Sequence, residues 1–569
     1  MKVWSTCLGL VLICAVPCAA GGAEYFVSPD GAKGNTGTRK SPMSLSDANT
    51  TLLPGDVAIL LDGTYTRVPI APARSGVKGK TITYRAANRH KALFTEGGGA
   101  SKFRGAAAIV ASGRAHITVD GIKAAGVKRW LIGAKCHHIT LVNCHFEKST
   151  GWINCRFEDN GDGIHLKGNH FNEGTDLVSI DGGSGHLVEG NYFGDATHTG
   201  LVLLGVQRSV VRGNKLTNRR WRCMEVESRR RKPYRLSEYN LIEGNVFDYS
   251  PCSAIQYAGN RSILRRNIIR RCLTGMNWAN YVGSNKGSKK RSPEAWHDEN
   301  NRFYNNVIDQ CGPNATVLKL IAKAKTAGFA IAENKPLRGY AMVFATNMFN
   351  PKLKGYENCA YGDNVVVNNI FYRNGSSVQG SDKKGKTASR TTHVAFDWNA
   401  TPQFGRFAHN VFSNGPLGAA AAPVFYFCDA PYLKPPEQRN RSVESFQKRY
   451  PQWARRNVDI APGFLAADKG DYRLGSKSLC IDAGGSLTKA RGAGRGKTIP
   501  VNDALFFSDG HGLVEPDVIF VGTERVKIAK IDYKARTITV DRSIWWSKDV
   551  PVTLDYKGKS PDIGAYEIR

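Results

Sequence analysis

The sequence predicts an all-β fold, a right-handed parallel β-helix, on three observations. One phrase recurs: a glycine or polar residue, an asparagine, then two mostly apolar residues. It reads Gly-Asn169-His-Phe171, Gly-Asn191-Tyr-Phe193, Gly-Asn214-Lys-Leu216, Gly-Asn245-Val-Phe247 and Arg-Asn267-Ile-Ile269, with steps of 22, 23, 31 and 22 residues between asparagines. A period of about 20–50 residues marks a repeat architecture. Short alternating segments such as Gly163-Ile-His-Leu-Lys167 and Leu187-Val-Glu lie between the asparagines, so every second side chain faces inward. No helix-period pattern intervenes. Stacked coils would set the asparagines over one another as an internal hydrogen-bonded ladder. A sandwich or propeller favours hairpins with Asn-Gly or Asp-Gly turns, and the spacing here is too regular for hairpins alone.

In chain order, Lys2 precedes an apolar run from Cys7 to Val16, then small residues, Cys18-Ala-Ala-Gly-Gly-Ala23. That is the layout of a cleaved secretory signal peptide over 1–23, and it predicts a secreted or periplasmic protein. Residues 24–108 are expected to form an N-terminal cap and the first coils. A short helix over 44–53, capped by Ser44 or Ser46, covers the open end of the solenoid, whose terminal repeats need a cap. The β-helix proper is expected over 109–480. Coils begin near His116-Ile-Thr-Val-Asp and resume at Arg302-Phe-Tyr-Asn-Asn306, Asn364-Val-Val-Val-Asn-Asn369 and Phe407-Ala-His-Asn410. A polar, basic loop is expected over 280–300, a helix over 317–325, and partial helix within 431–456. Residues 481–569 read as a small β subdomain, with strands at Val518-Ile-Phe-Val, Thr537-Ile-Thr-Val and Val552-Thr-Leu-Asp, followed by a final coil.

The chain has 569 residues, with 79 Lys and Arg against 48 Asp and Glu, a formal net charge of +31. Such an excess attracts polyanions. Behind a secretory leader, the expected partner is an acidic polysaccharide and not nucleic acid. No second run is long and apolar enough to span a bilayer, and a monomer is expected. Three of the 13 cysteines fall in the leader, and none of the rest forms a Cys-x-x-Cys pair. That spacing speaks against zinc and for buried free thiols.

The chemistry is expected where an outward face carries charge. In Trp221-Arg-Cys-Met-Glu-Val-Glu227, Met224 and Val226 share the inward parity, so Glu225 and Glu227 both project outward. Two adjacent carboxylates repel unless a cation intervenes. That cation is either a divalent ion or the basic residues crowding the same stretch: Arg219, Arg220, Arg222, Arg229, Arg230, Arg231 and Lys232. His165 and His198 are outward histidines of the region, and Trp152, Trp221 and Trp278 are candidate platforms for sugar rings.

The phrase Pro54-Gly-Asp-Val-Ala-Ile-Leu-Leu-Asp-Gly-Thr-Tyr65 and the closing Pro561-Asp-Ile-Gly-Ala-Tyr-Glu567 resemble those of secreted right-handed β-helix proteins, many of them polysaccharide lyases. Glu225-x-Glu227 followed by Lys232 resembles the core of the chondroitinase B and alginate lyase family. The resemblance implies calcium on Glu225 and Glu227, Lys232 as the base, and an arginine one coil later, where this chain has Tyr257. The implied reaction is β-elimination on a uronic acid: a cation neutralises the sugar carboxylate, a base takes the C5 proton, and an acid protonates the leaving oxygen. Arg220, Arg222, Arg230, His165 and Trp221 would bind substrate, and His198, His165 and Tyr257 are the catalytic candidates without calcium. Two alternatives remain. One is a glycoside hydrolase, since Asn160-Gly-Asp162 is similar to the Asn-Thr-Asp phrase of polygalacturonases and Asp176 and Asp181 follow. The other is a non-catalytic glycan-binding β-helix.

Overall fold

The computed structural model describes residues 22–96, 107–159, 161–229, 235–279, 299–328, 339–345, 362–375, 380–381, 387–388, 393–397, 405–414, 425–428 and 442–568. Its body is a parallel β-helix. Successive coils add strands to a 14-stranded sheet and to a 22-stranded sheet, all in parallel register. One coil illustrates the rest. His165–Lys167 pairs with Thr140–Val142 below and Leu187–Glu189 above in the smaller sheet. His170–Asn172 and Asp176–Asp181 then enter two successive rows of the larger sheet. Each coil therefore presents three faces.

The recurring Gly-Asn phrase is a corner. Gly168, Gly190, Gly213 and Gly244 take φ of +63°, +64°, +61° and +62°, and the same corner in later coils is made by Arg266, Asn305, Asn368, His409 and Arg456, all at positive φ. A side chain in this left-handed region costs on the order of 1 kcal/mol, which glycine avoids. The asparagine after the corner turns inward. Asn169 Nδ2 donates to Asn191 Oδ1 at 3.0 Å, and the pattern repeats through Asn214, Asn245, Asn267, Asn306, Asn369, Asn410 and Asn457 at 2.9–3.0 Å. Each Oδ1 also accepts a backbone N–H from the coil below, as Asn214 Oδ1 does from Asn191 N at 2.9 Å. The predicted ladder is present and runs on past the five asparagines of the regular repeat to Asn457, where Gln447 Oε1 accepts the terminal Asn457 N–H at 2.7 Å.

Two residues past each ladder asparagine from Asn169 to Asn410, an apolar side chain fills the interior. Phe146, Phe171 and Phe193 stack at 5.2 Å between centroids, each fully buried and each contributing roughly 1.5–3 kcal/mol by burial. A short helix lies at each end of the described coils. Helix α1 (Leu45–Thr51) is N-capped by Ser44, whose Oγ accepts from Asp47 N at 3.1 Å, and it buries Leu45 and Ala48 on the first coil. Helix α2 (Ala315–Thr326) rises from a late coil, and α3 (Val443–Arg449) supplies Gln447 at the far end. All eight cysteines with described side chains are free, seven of them buried.

The outward faces explain the C-terminal residues. Leu187, Val210, Leu241 and Ile263 stack in one outward column, and they are buried because a six-stranded antiparallel sheet built from residues 488–554 packs over them. The closing stretch 561–567 makes no further coil. It runs outside the corners, where Asn305 Nδ2 donates to Asp562 O and Gly564 O, both at 3.1 Å. The leader up to residue 21, and the basic loop apart from residues 299–300, lie outside the described residues. No helix among the described residues is long and apolar enough to cross a membrane.

Candidate active site

The second row of the larger sheet carries the site. Asp176–Asp181, Thr199–Leu204 and Arg222–Glu227 lie side by side, with Val202 opposite Glu225 and Leu204 opposite Glu227. The next strand sets Gln256 beside Glu225 and Ala258 beside Glu227. The turns that feed these strands are held by buried asparagines. Asn154 Nδ2 donates to Gly151 O at 2.9 Å, fixing the loop that bears Trp152. Asn218 Oδ1 accepts from Arg220 N at 3.0 Å and Trp221 N at 3.1 Å, and its Nδ2 donates to Arg222 O at 2.6 Å.

Four charged side chains meet at the mouth of this row. Asp176 Oδ1 accepts from His198 Nδ1 at 2.7 Å and from Thr199 N at 3.1 Å. Arg222 Nη1 donates to Glu225 Oε2 at 2.6 Å, and Thr199 Oγ1 reaches the same oxygen at 3.5 Å. Trp152, 68% exposed, lies over the imidazole with ring centroids 6.4 Å apart. Asp176, Arg222 and Glu225 are largely buried, whereas the His198 side chain is 39% exposed. Because Nδ1 carries the proton toward Asp176, Nε2 is the basic nitrogen, and it has no partner among the described residues. The Asp176 hydrogen bond raises the His198 pKa above the usual imidazole value, against burial and Arg222 and with help from Glu225. Burial works to raise the Glu225 pKa, but Arg222, a hydrogen bond with Glu227 and the nearby His198 leave it lowered.

Glu225 and Glu227 share the outward parity expected of them. Their partners are protein groups: Arg222 holds Glu225, and Gln256 Nε2 donates to Glu227 Oε1 at 3.1 Å. Calcium takes about six to eight oxygen ligands. Here Val202 occupies the neighbouring outward position, and among the described residues no group of three or more His, Cys, Asp or Glu has metal-holding geometry. The described residues do not complete a calcium site.

Some side-chain placements are corrected. Tyr257 points inward: it is fully buried, packs edge-on against Trp278 at 5.2 Å, and bonds Asn301 Oδ1 at 3.3 Å. Its strand register pairs it with inward Val226, so it cannot donate a proton to a sugar. Trp278 is likewise a core residue. Trp221 packs under α2 against Val317, Ile321 and Ala324 and does not form an open platform. His165 lies on the smaller sheet, on another face from Glu225. Arg220 sits in the turn leading to Arg222. Lys232 and Arg230 lie outside the described residues. Of the hydrolase candidates, Asp176 holds His198, whereas Asp162 Oδ1 accepts from Ser184 N at 2.7 Å and Asp181 pairs with Arg229 at 2.8 Å. Asn160 lies outside the described residues.

The coil period alone did not give the Asp176–His198 contact. Strand partners in this row, such as Val178 and Leu201, are 23 apart, and His198 lies 22 from Asp176, one residue short of that register. Glu225 and Gln256, by contrast, are 31 apart, as are Asn214 and Asn245.

No family model matches the chain, and no curated protein matches it. Solved structures similar to it include a mannuronic acid specific polysaccharide family 6 lyase from human gut microbiota (14% identity, 79% of this chain and 93% of that one, TM-score 0.42). A pectate lyase aligns over 97% of both chains at 12% identity, TM-score 0.34. A lacto-N-biosidase from Eubacterium ramulus aligns over 72% of this chain and 65% of its own at 10% identity, TM-score 0.37.

Proposed function

We propose that the protein is a secreted polysaccharide lyase that cleaves an acidic, uronic-acid-containing polysaccharide by β-elimination. The observation that carries this reading is the Asp176–His198 pair beside Arg222, opening beneath an exposed tryptophan. The net charge of +31 supports an anionic substrate.

Trp152 offers its exposed face to a sugar ring. Arg222 and Arg220 draw the uronate carboxylate toward the strand, and Arg222 also holds Glu225. Their positive charge offsets the negative charge that builds on the carboxylate as C5 loses its proton. His198 Nε2 accepts that proton, and Asp176 stabilises the imidazolium formed. The C5–H electron pair becomes the C4–C5 double bond, the C4–O4 bond breaks, and the proton held by His198 passes to O4. Base and acid are one residue, and no group outside the described residues is required.

The test is product analysis on alginate, pectate, chondroitin sulfate and heparin, with and without a chelator. The expected result is a product with ultraviolet absorbance from the new double bond on at least one polymer, undiminished by chelation. A new reducing end without that absorbance would replace the lyase with a hydrolase, and neither signal would leave a binding protein.

A further inference from the structure

The C-terminal antiparallel sheet does not close completely on the coils. Between them lies a cavity of about 530 Å³, within the range that holds small ligands. Its charged lining is unbalanced. Arg302, Arg406 and Arg455 come from the coils, and Lys489 and Arg536 from the subdomain, against only Asp363 and Asp503. Arg302 is matched: its Nε donates to Asp503 Oδ2 at 2.8 Å. Arg406 is not matched by any carboxylate among the described residues. Its Nη groups donate to the carbonyls of Ser486 at 3.3 Å and Leu487 at 2.8 Å, and its Nε is buried with no partner. Both guanidiniums lie over the Phe506 ring, each 5.4 Å from its centroid.

A buried cation beside like charges is unfavourable unless an anion joins it. Burial, with Arg302 and Arg455 adding and Asp503 opposing, pushes the Arg406 pKa down to about 10, the response of a cation short of negative partners. A planar guanidinium with an unused N–H is matched to a carboxylate or a sulfate. The space far exceeds a bare anion, and Asn300, Ser486, Thr488 and Asn502 add hydroxyl and amide partners around the rest of it. That combination suits a sugar carrying one acidic group.

We propose that this cavity is a second, non-catalytic site that binds one anionic sugar unit, with its carboxylate or sulfate on Arg406. Arg302 and Arg406 lie on strands of the smaller sheet, three and five coils beyond the strand at Val210 that shares a coil with Arg222. The cavity therefore opens on a different face from His198. The inference shares with the proposed function only the class of ligand.

The experiment is calorimetric titration of the full-length protein with glucuronate, N-acetylglucosamine 6-sulfate and inorganic sulfate. Arg406→Ala is expected to weaken binding of the favoured sugar at least tenfold. The favoured sugar, carboxylated or sulfated, identifies the acidic group. Lys489→Ala combined with Arg536→Ala, both exposed, is expected to weaken it severalfold with unchanged thermal melting, which covers the case in which Arg406→Ala fails to fold. His198→Ala is expected to leave this binding intact. Unchanged affinity in both cavity variants would overturn the site, as would inorganic sulfate binding as tightly as either sugar. Turnover reads the other proposal: an inactive protein whose sugar binding still depends on Arg406 loses the lyase reading alone, and an active one whose binding ignores Arg406 loses this one alone.

Discussion

The asparagine ladder inside the coils and the Asp176–His198–Glu225 cluster outside them are built by the same operation. In both, coil stacking brings polar side chains from successive turns to hydrogen-bond distance. They differ in what meets. Inside, each asparagine meets its own kind, and the amide is at once donor and acceptor. Asn214 gives its Nδ2 to Val188 O at 2.8 Å and to Asn245 Oδ1 at 2.9 Å, and receives two N–H groups from Asn191. Nothing is left over, and the result is rigidity. Outside, unlike groups meet. Asp176 and Arg222 satisfy one side of His198 and Glu225 respectively, and the imidazole keeps its second nitrogen for solvent or substrate. Saturation makes a scaffold, and an incomplete match makes a reactive edge.

The largest expected effect tests the outer half of this contrast. His198→Ala should lower kcat/KM by on the order of 10²–10⁴-fold, with thermal melting close to wild type, because the side chain is partly exposed and supports no core contact. A loss of activity that tracked a loss of melting temperature would make His198 structural. Asn214→Ala should do the reverse. It orphans several buried groups at about 1–3 kcal/mol each, so denaturant titration should show roughly 3 kcal/mol of lost stability, with activity following only the folded fraction.

A smaller effect sharpens the role of Asp176. A base must be unprotonated to act, so activity should rise as pH passes the raised His198 pKa. Asp176→Asn removes the chief cause of that raising, and the rise should move to lower pH while the maximal rate falls at least tenfold. The same linkage bears on stability. The pair's contribution is fully present below the unfolded imidazole value and is lost as pH climbs through the raised folded one. An unmoved acid limb would detach Asp176 from the imidazole. The smallest effect concerns Tyr257. Tyr257→Phe should cost about 1 kcal/mol of stability through its bond to Asn301 and leave kcat unchanged.

Much of this was legible in the chain. The Gly-Asn spacing carried the solenoid, the corner and the ladder, because each is set by a residue and its own coil. Alternation placed Glu225 and Glu227 outward for the same reason. The misplacements have different causes. Tyr257 was assigned to the site by motif offset, although its parity matched inward Ile255, and parity decided where it points. Trp221 and Trp278 have the same side-chain type as Trp152, but α2 covers the first and the coil interior encloses the second. Composition does not distinguish a covered tryptophan from an open one.

By itself the sequence determined the coil, its period, and the inward or outward sense of each side chain, since these follow from strand alternation and steric limits at the corner. Only the tertiary structure decided what each outward side chain meets. Arg265 finds Asp517 at 2.6 Å from 252 residues away, and Arg302 finds Asp503 from 201 residues away. Such contacts depend on how a distant sheet docks. The physical reason is range: backbone geometry is fixed by neighbours in the chain, whereas the charge and solvent around an outward group are fixed by whatever folds back against it.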